Sequence, residues 1–150
     1  MSETAKILVI DDDESIRLVL KTILEDEGYN VDTAKNGNEA IRKTNENFYN
    51  LALIDIKLPD MEGTKLLTAM KETTPPMVKI MVTGFPTVQN AIEAVNKGAD
   101  GYVTKPIDDM DDLLNKIKEH LKKQREKKKF NEEKVAEFVE SRAKELGYLP

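Results

Sequence analysis

Five short apolar runs, each followed by a segment with helical spacing, constrain this chain more than any other feature. The first run is Lys6–Ile10, KILVI. After it, Ile16, Val19, Leu20, Ile23 and Leu24 recur at the spacing of one amphipathic helix face, and Gly28 stands where such a helix stops. A weak strand at Val31–Ala34 and a helix over 38–46 follow. The third run, Leu51–Asp55, is apolar without alternation, as expected of a central parallel strand covered on both faces. Pro59, Asp60 and Gly63 form a loop before a helix over 65–71. The pair Pro75–Pro76 then breaks the chain ahead of a fourth strand, Val78–Val82. A helix with Val88, Ala91, Ile92 and Val95 on one face runs to Gly98, and Gly101–Thr104 is the fifth strand. A last helix begins near Asp109 and turns Leu113, Leu114, Ile117 and Leu121 inward.

Strand–helix alternation with short connections requires parallel βαβ units, hence an α/β three-layer sandwich. Five strands and five helices fit the flavodoxin-like order 2-1-3-4-5, with a C-terminal helical extension beyond.

Composition removes several chemistries. The 150 residues include no cysteine and one histidine, His120. Disulfides, a thiolate nucleophile and cysteine-bound zinc are excluded, and a Ser-His-Asp triad would have to use His120. No apolar run approaches the ~20 residues of a membrane span. The opening MSETAKILVI has no basic-then-apolar signal pattern, so a cytoplasmic location is expected. Any chemistry falls to carboxylates, hydroxyls and lysines.

Open parallel sheets bind ligands at the C-terminal ends of their strands. Those ends carry Asp11, Asp12 and Asp13 after the first strand, Asp55 on the third, Thr83 after the fourth and Lys105 after the fifth. In the expected order, strands one and three are neighbours, which sets Asp11 and Asp12 opposite Asp55. Carboxylates so close repel unless a hard cation or shared protons intervene, and Mg2+ takes such oxygen ligands while leaving positions for phosphate. Lys105 and Thr83 would then stabilise the oxygens of a phosphoryl group arriving on one carboxylate. Asp13 is read as the cap of the first helix.

The stretches ILVIDDDESIR, LALIDIKLPDMEG, KIMVTGFPTV, AVNKGADGY and VTKPID, in that order, cover roughly residues 4–121. Together they resemble the receiver domain of two-component response regulators. The resemblance implies that Asp55 accepts a phosphoryl group from a histidine kinase or phosphotransfer protein. It makes Asp12 a direct Mg2+ ligand, Asp11 a ligand through water, and the Lys57 backbone carbonyl a further ligand beside Asp55. Thr83 and Tyr102 become the switch pair, Lys105 the cation that binds the phosphoryl group, and Lys105–Pro106 a candidate cis peptide. Phosphorylation would repack helix four, strand five and helix five to engage a downstream effector or a second copy. Self-phosphorylation from small phosphodonors and autodephosphorylation are the only turnover implied. Lys57 and Phe85 occupy positions at which the family varies that dephosphorylation rate.

Other readings are weaker. DDDES overlaps the motif of haloacid-dehalogenase-type phosphatases, but Ser15 stands where Thr or Val is usual and the chain lacks room for a cap domain. The EF-hand pattern fails at Ile16, where a glycine is needed. A stand-alone receiver is the first expectation; residues 87–97 resemble receivers attached to ATPase-type transcriptional activators, so the N-terminal receiver of a larger regulator is the alternative.

The net charge of −5 is unevenly shared. From Leu121 onward nine basic residues face six acidic ones, which leaves residues 1–120 at −8. A receiver body, 1–121, is thus expected to carry a basic, helical extension, 122–150. The run Lys122–Lys129 lacks the interleaved aromatics of a nucleic-acid site. In the extension, Asn131 reads as an N-cap, Phe130 and Val135 as a hydrophobic staple, and Gly147 as the stop. That helix must bury Val135, Phe138, Val139 and Leu146 by folding back, by meeting a second copy or by leading into a linker.

Overall fold

A computed structural model describes residues 4–84 and 86–150. Five strands, β1 (Lys6–Ile10), β2 (Asn30–Ala34), β3 (Leu51–Ile54), β4 (Val78–Thr83) and β5 (Gly101–Thr104), form one sheet in the order β2-β1-β3-β4-β5. Every neighbouring pair is parallel. The helices are α1 (Glu14–Asp26), α2 (Gly37–Glu46), α3 (Gly63–Ala69), α4 (Val88–Asn96) and α5 (Met110–Glu145).

The period of two along the strands divides the core. Ile7 and Val9 of β1 join Leu51, Leu53, Ile80 and Val82 beneath α1 and α5, whose Leu20, Leu24, Leu113, Ile117 and Leu121 complete that layer. Leu8 and Ile10 point the other way, with Ala52, Ile54 and Met81, beneath Ala40, Leu66, Leu67 and Ala94 of α2, α3 and α4. All the residues of β3 are buried, which accounts for its unbroken apolar run.

Local signals set the helix ends. Asp13, Asn36, Thr87 and Asp109 each accept a backbone N–H from the first turn of their helix. Gly28, Gly98 and Gly147 take the positive φ that ends α1, α4 and α5.

Three sequence expectations need correction. Val19, expected on the inner face of α1, is 51% exposed. On α4 the face formed by Val88, Ile92 and Val95 is turned to solvent, and only Ala94 of that helix is buried. Periodicity identifies a face but not what covers it. Finally, Asn131 caps no helix, because α5 runs unbroken from Met110 to Glu145. Residues 122–129 are Lys, Gln, Arg and Glu, all good helix formers with no breaker among them, and a formed helix propagates through a cap residue more readily than it restarts. Gly147 does terminate it, with the Tyr148 N–H returning to the Ala143 carbonyl at 2.9 Å.

At the edge strand, buried Tyr49 donates its hydroxyl to Asp32 at 2.7 Å, and Lys43 pairs with the same carboxylate at 3.0 Å. Burial disfavours the Asp32 charge, but the bonds from Tyr49, Lys43 and Thr33 outweigh it and hold the carboxyl below its ordinary range. Tyr49→Phe should therefore cost about 1 kcal/mol at neutral pH, the lower end for a charged hydrogen bond because Asp32 is half-exposed. A depressed folded pKa gives stability that is present above the unfolded value and lost as pH falls through the folded one. The gap between wild type and variant should close in urea melts at acid pH. A gap of equal size there would contradict the assignment.

Candidate functional site

Strand pairing assembles the site. The Asp55 N–H donates to the Ile10 carbonyl at 3.0 Å, so the residue after β3 sits beside the residue after β1. Asp11 is fixed from the other side by its own N–H to the Ala34 carbonyl, 3.1 Å. Thr83 ends β4 opposite Thr104, and the Lys105 N–H donates to the Thr83 carbonyl at 2.7 Å. Four chain segments far apart in sequence thus deliver Asp11, Asp55, Thr83 and Lys105 to one edge of the sheet.

Asp11, Asp55 and Thr83 are buried and Asp12 is exposed. Carboxylate oxygens of Asp11, Asp12 and Asp55 all lie within 4.8 Å of one another. Lys105 reaches between two of them, its Nζ 2.6 Å from Asp11 Oδ2 and 3.3 Å from Asp55 Oδ2. The remaining Asp55 oxygen accepts the Lys57 N–H at 3.3 Å. Burial pushes the Asp55 carboxyl up; Lys105 opposes the shift and Asp11 adds to it. On Lys105, burial works against the charge, but Asp11 and Asp55 overcome it and the ammonium is held above its usual range. Lys105 is therefore a fixed positive charge at neutral pH, touching two carboxylates.

Such a donor set suits a hard divalent cation. It offers only oxygens, from three carboxylates of which one opens to water. The acidic cluster is typical of the receiver-domain metal site.

The Lys105–Pro106 peptide is cis, as expected. Tyr102 lies on the α4 side of the sheet among Ala94, Met81 and Ala99. Its buried hydroxyl has no hydrogen-bond partner among the described residues, and burial raises its pKa. Asp13 caps α1 through Ile16. Asp109, at the start of α5, caps it through Asp112. Phe85, expected to bear on the lifetime of a phosphoryl group, lies outside the described residues.

Two supports went unread in the sequence. Arg17 donates to the Asp11 carbonyl at 2.7 Å, anchoring the acidic turn to α1. Asp60 spans from the loop after Asp55 to the start of α2, accepting the Gly37 N–H at 2.9 Å and the Asn38 N–H at 2.8 Å. Helix starts with free N–H groups favour a carboxylate, but one lent from 22 residues away leaves no local pattern.

A parallel sheet in this order with an acidic cluster and a lysine at its C-terminal end is the arrangement expected of a receiver domain, and the comparisons show that family. The family model for the response regulator receiver domain matches residues 7–118. The chain belongs to that family: it contains the receiver domain of a two-component response regulator. It is similar to the transcriptional regulatory protein ZraR of Klebsiella oxytoca, 37% identical over 71% of this chain and 24% of that protein. It also resembles the uncharacterized transcriptional regulatory protein YkoG of Bacillus subtilis, 33% identical over 80% of this chain and 52% of the relative. The chain thus spans about a quarter of the ZraR length and half of YkoG. Among solved structures, a CheY-like receiver domain protein from Methanospirillum hungatei superposes with a TM-score of 0.79 at 47% identity, over 83% of this chain and 99% of that one. The response regulator TrrA of Thermotoga maritima, solved in complex with Mg2+ and BeF, gives 0.69 at 32%, over 78% and 99%.

Proposed function

We propose that Asp55 is the phosphoryl acceptor of this receiver, charged by the phosphohistidine of a histidine kinase or phosphotransfer protein. The observation that carries this is the placement of Asp55: a buried carboxylate held between the Lys105 ammonium and the Lys57 amide, 4.8 Å or less from Asp11 and Asp12. An Asp55 oxygen attacks phosphorus, the bond from phosphorus to the donor nitrogen breaks, and an acyl phosphate forms on the side chain. Lys105 is placed to follow the new negative charge, and the Thr83 hydroxyl to donate to a phosphoryl oxygen.

The residues fit Mg2+ as the cofactor: Asp12 would hold it directly, Asp11 through water, and Asp55 and the Lys57 carbonyl would complete the protein's share. When bound, it supplies the divalent charge that offsets the phosphoryl oxygens.

The switch follows as a population shift. Phosphorylated Asp55 favours the arrangement with Thr83 and Lys105 drawn toward it, and Tyr102 on β5 moves with Thr83. The exposed Val88, Ile92 and Val95 on α4 give the α4–β5–α5 face the apolar character an effector, or a second phosphorylated copy, would cover. Residues 1–121 carry this switch, residues 122–150 a separate role, and the protein works in the cytoplasm. A receiver within a larger regulator is the reading favoured by the ZraR similarity, which covers 24% of that protein.

Intact-mass measurement after incubation with acetyl phosphate and Mg2+ tests the proposal. One phosphoryl increment is expected on wild type and none after EDTA treatment; equal labelling of Asp55→Asn would overturn it. Thr83→Ala should label to the same extent yet lose the phosphorylation-dependent change at α4 and β5, read as the amide chemical shifts of those residues. A loss of labelling as complete as that of Asp55→Asn would place Thr83 in the chemistry instead.

A further inference from the structure

One side of α5 continues past the end of the domain within the same unbroken helix. Ile117, Leu121 and Gln124 recur at helical spacing and are buried against the sheet. The same spacing leads through Lys128 and Asn131 to Val135 and Phe138, with Val139 and Leu146 alongside, and these four apolar residues are each more than half exposed. The helix is held rigidly at its exit. Gln124 donates to the carbonyls of Asn50 at 3.0 Å and Pro76 at 2.8 Å, while Asn50 donates back to Gln124 at 3.3 Å. Beyond Gln124, α5 projects roughly 30 Å at the rise of an α-helix. In the angle between this projection and the body lies a groove of about 900 Å³, floored by Pro75, Pro76 and Met77 and walled by Lys127, Lys128 and Val135. It opens at the N-terminal end of β4, away from Asp55.

The charges along the projection divide. Residues 122–129 hold six basic and one acidic residue; residues 131–150 hold five acidic and three basic. Among the described residues, Lys127, Lys128 and Lys129 form no ion pair with the proximal half's lone acid, Glu126, and Glu132, Glu133 and Glu137 on the distal half form none either. A parallel pairing of two such helices sets like charges together along its whole length. An antiparallel pairing sets each distal, acidic half along the other's proximal, basic half.

We propose that the groove and the exposed face of α5 form a self-association surface, occupied by the distal α5 of a second copy running antiparallel. With the two-fold axis near Asn131, Phe138 of each copy meets the Pro76–Gln124 region of the other, and Val135 meets Lys128. This contact is isologous, so it closes at two copies. It is centred on α5 beyond Gln124, involves no residue of α4 and does not require phosphorylation, so it stands whether or not Asp55 is the acceptor.

The test uses the full, unphosphorylated chain, with sedimentation equilibrium for mass and circular dichroism for fold. A dimer is expected, and Phe138→Asp should raise its dissociation constant by ~100-fold or more, as loss of a central aromatic anchor does. Because the chain has no cysteine, single-cysteine variants read the orientation. Asn131→Cys, near the axis, should cross-link to itself on oxidation. Leu146→Cys should not, since its two copies would stand roughly 40 Å apart along the pair. A monomer at tens of micromolar, a dimer indifferent to Phe138→Asp, or self-cross-linking of Leu146→Cys would each overturn the proposal.

Discussion

Gly63→Val should leave little folded protein at room temperature. A Cβ on Gly63 would stand 2.1 Å from the Asp55 carbonyl oxygen, 2.9 Å from its carbonyl carbon and 3.0 Å from Ile56 Cα. All three are backbone atoms of the segment leaving β3, so no rotamer change relieves the overlap. The same glycine donates its N–H to the Ile56 carbonyl at 2.6 Å, which pins the first turn of α3 against the acceptor loop. Accommodation must push α3 off the sheet, exposing buried Leu66 and Leu67, or break the loop that presents Asp55. A cost of about 4 kcal/mol or more is expected, a large part of a domain's stability. Gly84→Ala is the control, because its Cβ meets only Lys105 Cβ at an ordinary 3.9 Å. Urea melts of the two variants should differ widely. A Gly63→Val midpoint close to wild type would mean the α3–loop contact is softer than its geometry.

Asp55→Asn should remove phosphoryl uptake altogether and, in metal-free buffer, make the domain more stable. The amide keeps the shape of the side chain and can still accept the Lys57 N–H. It removes one of three carboxylates gathered within 4.8 Å, in a place where burial already disfavours the charge. Lys105 retains its 2.6 Å contact with Asp11, so the substitution strands no buried cation. A gain of about 1 kcal/mol at neutral pH is expected, because burial and the Asp11 charge both disfavour the Asp55 carboxylate and outweigh its attraction to Lys105. Mg2+ should stabilise wild type more than the variant and narrow the gap, because ligand binding to the folded state adds to its stability. Denaturant melts with EDTA and with Mg2+ measure both effects. A variant less stable than wild type in EDTA would show that Asp55 contributes more through its bonds than it costs through repulsion.

These two residues also show what the sequence discloses. The acidic turn, Asp55, Thr83 and Lys105 were legible because each follows an apolar run, and parallel strands present their C-terminal ends on one edge. The cap at Asp13, the start of the last helix near Asp109 and the stops at Gly28, Gly98 and Gly147 were legible as local chemistry. What escaped was long-range or environmental. Asp60 lends its carboxylate to a helix 22 residues earlier, and Gln124 ties α5 to Asn50 across 74 residues, inside a run that reads as solvated. The apolar face of α4 has the same period whether a sheet or water lies beneath it. Asn131 is a good cap residue, but the helix arriving from Met110 had no reason to end before it.

The acyl phosphate itself offers the most direct test of the account. Wild type is incubated with acetyl phosphate and Mg2+, reduced with borohydride, digested and mapped by mass spectrometry. Reduction turns a phosphorylated aspartate into homoserine and so marks the acceptor permanently. Homoserine at position 55 alone is the predicted result. Homoserine at Asp11 or Asp12, or a phosphoryl group on Thr83 with Asp55 unmarked, would contradict it.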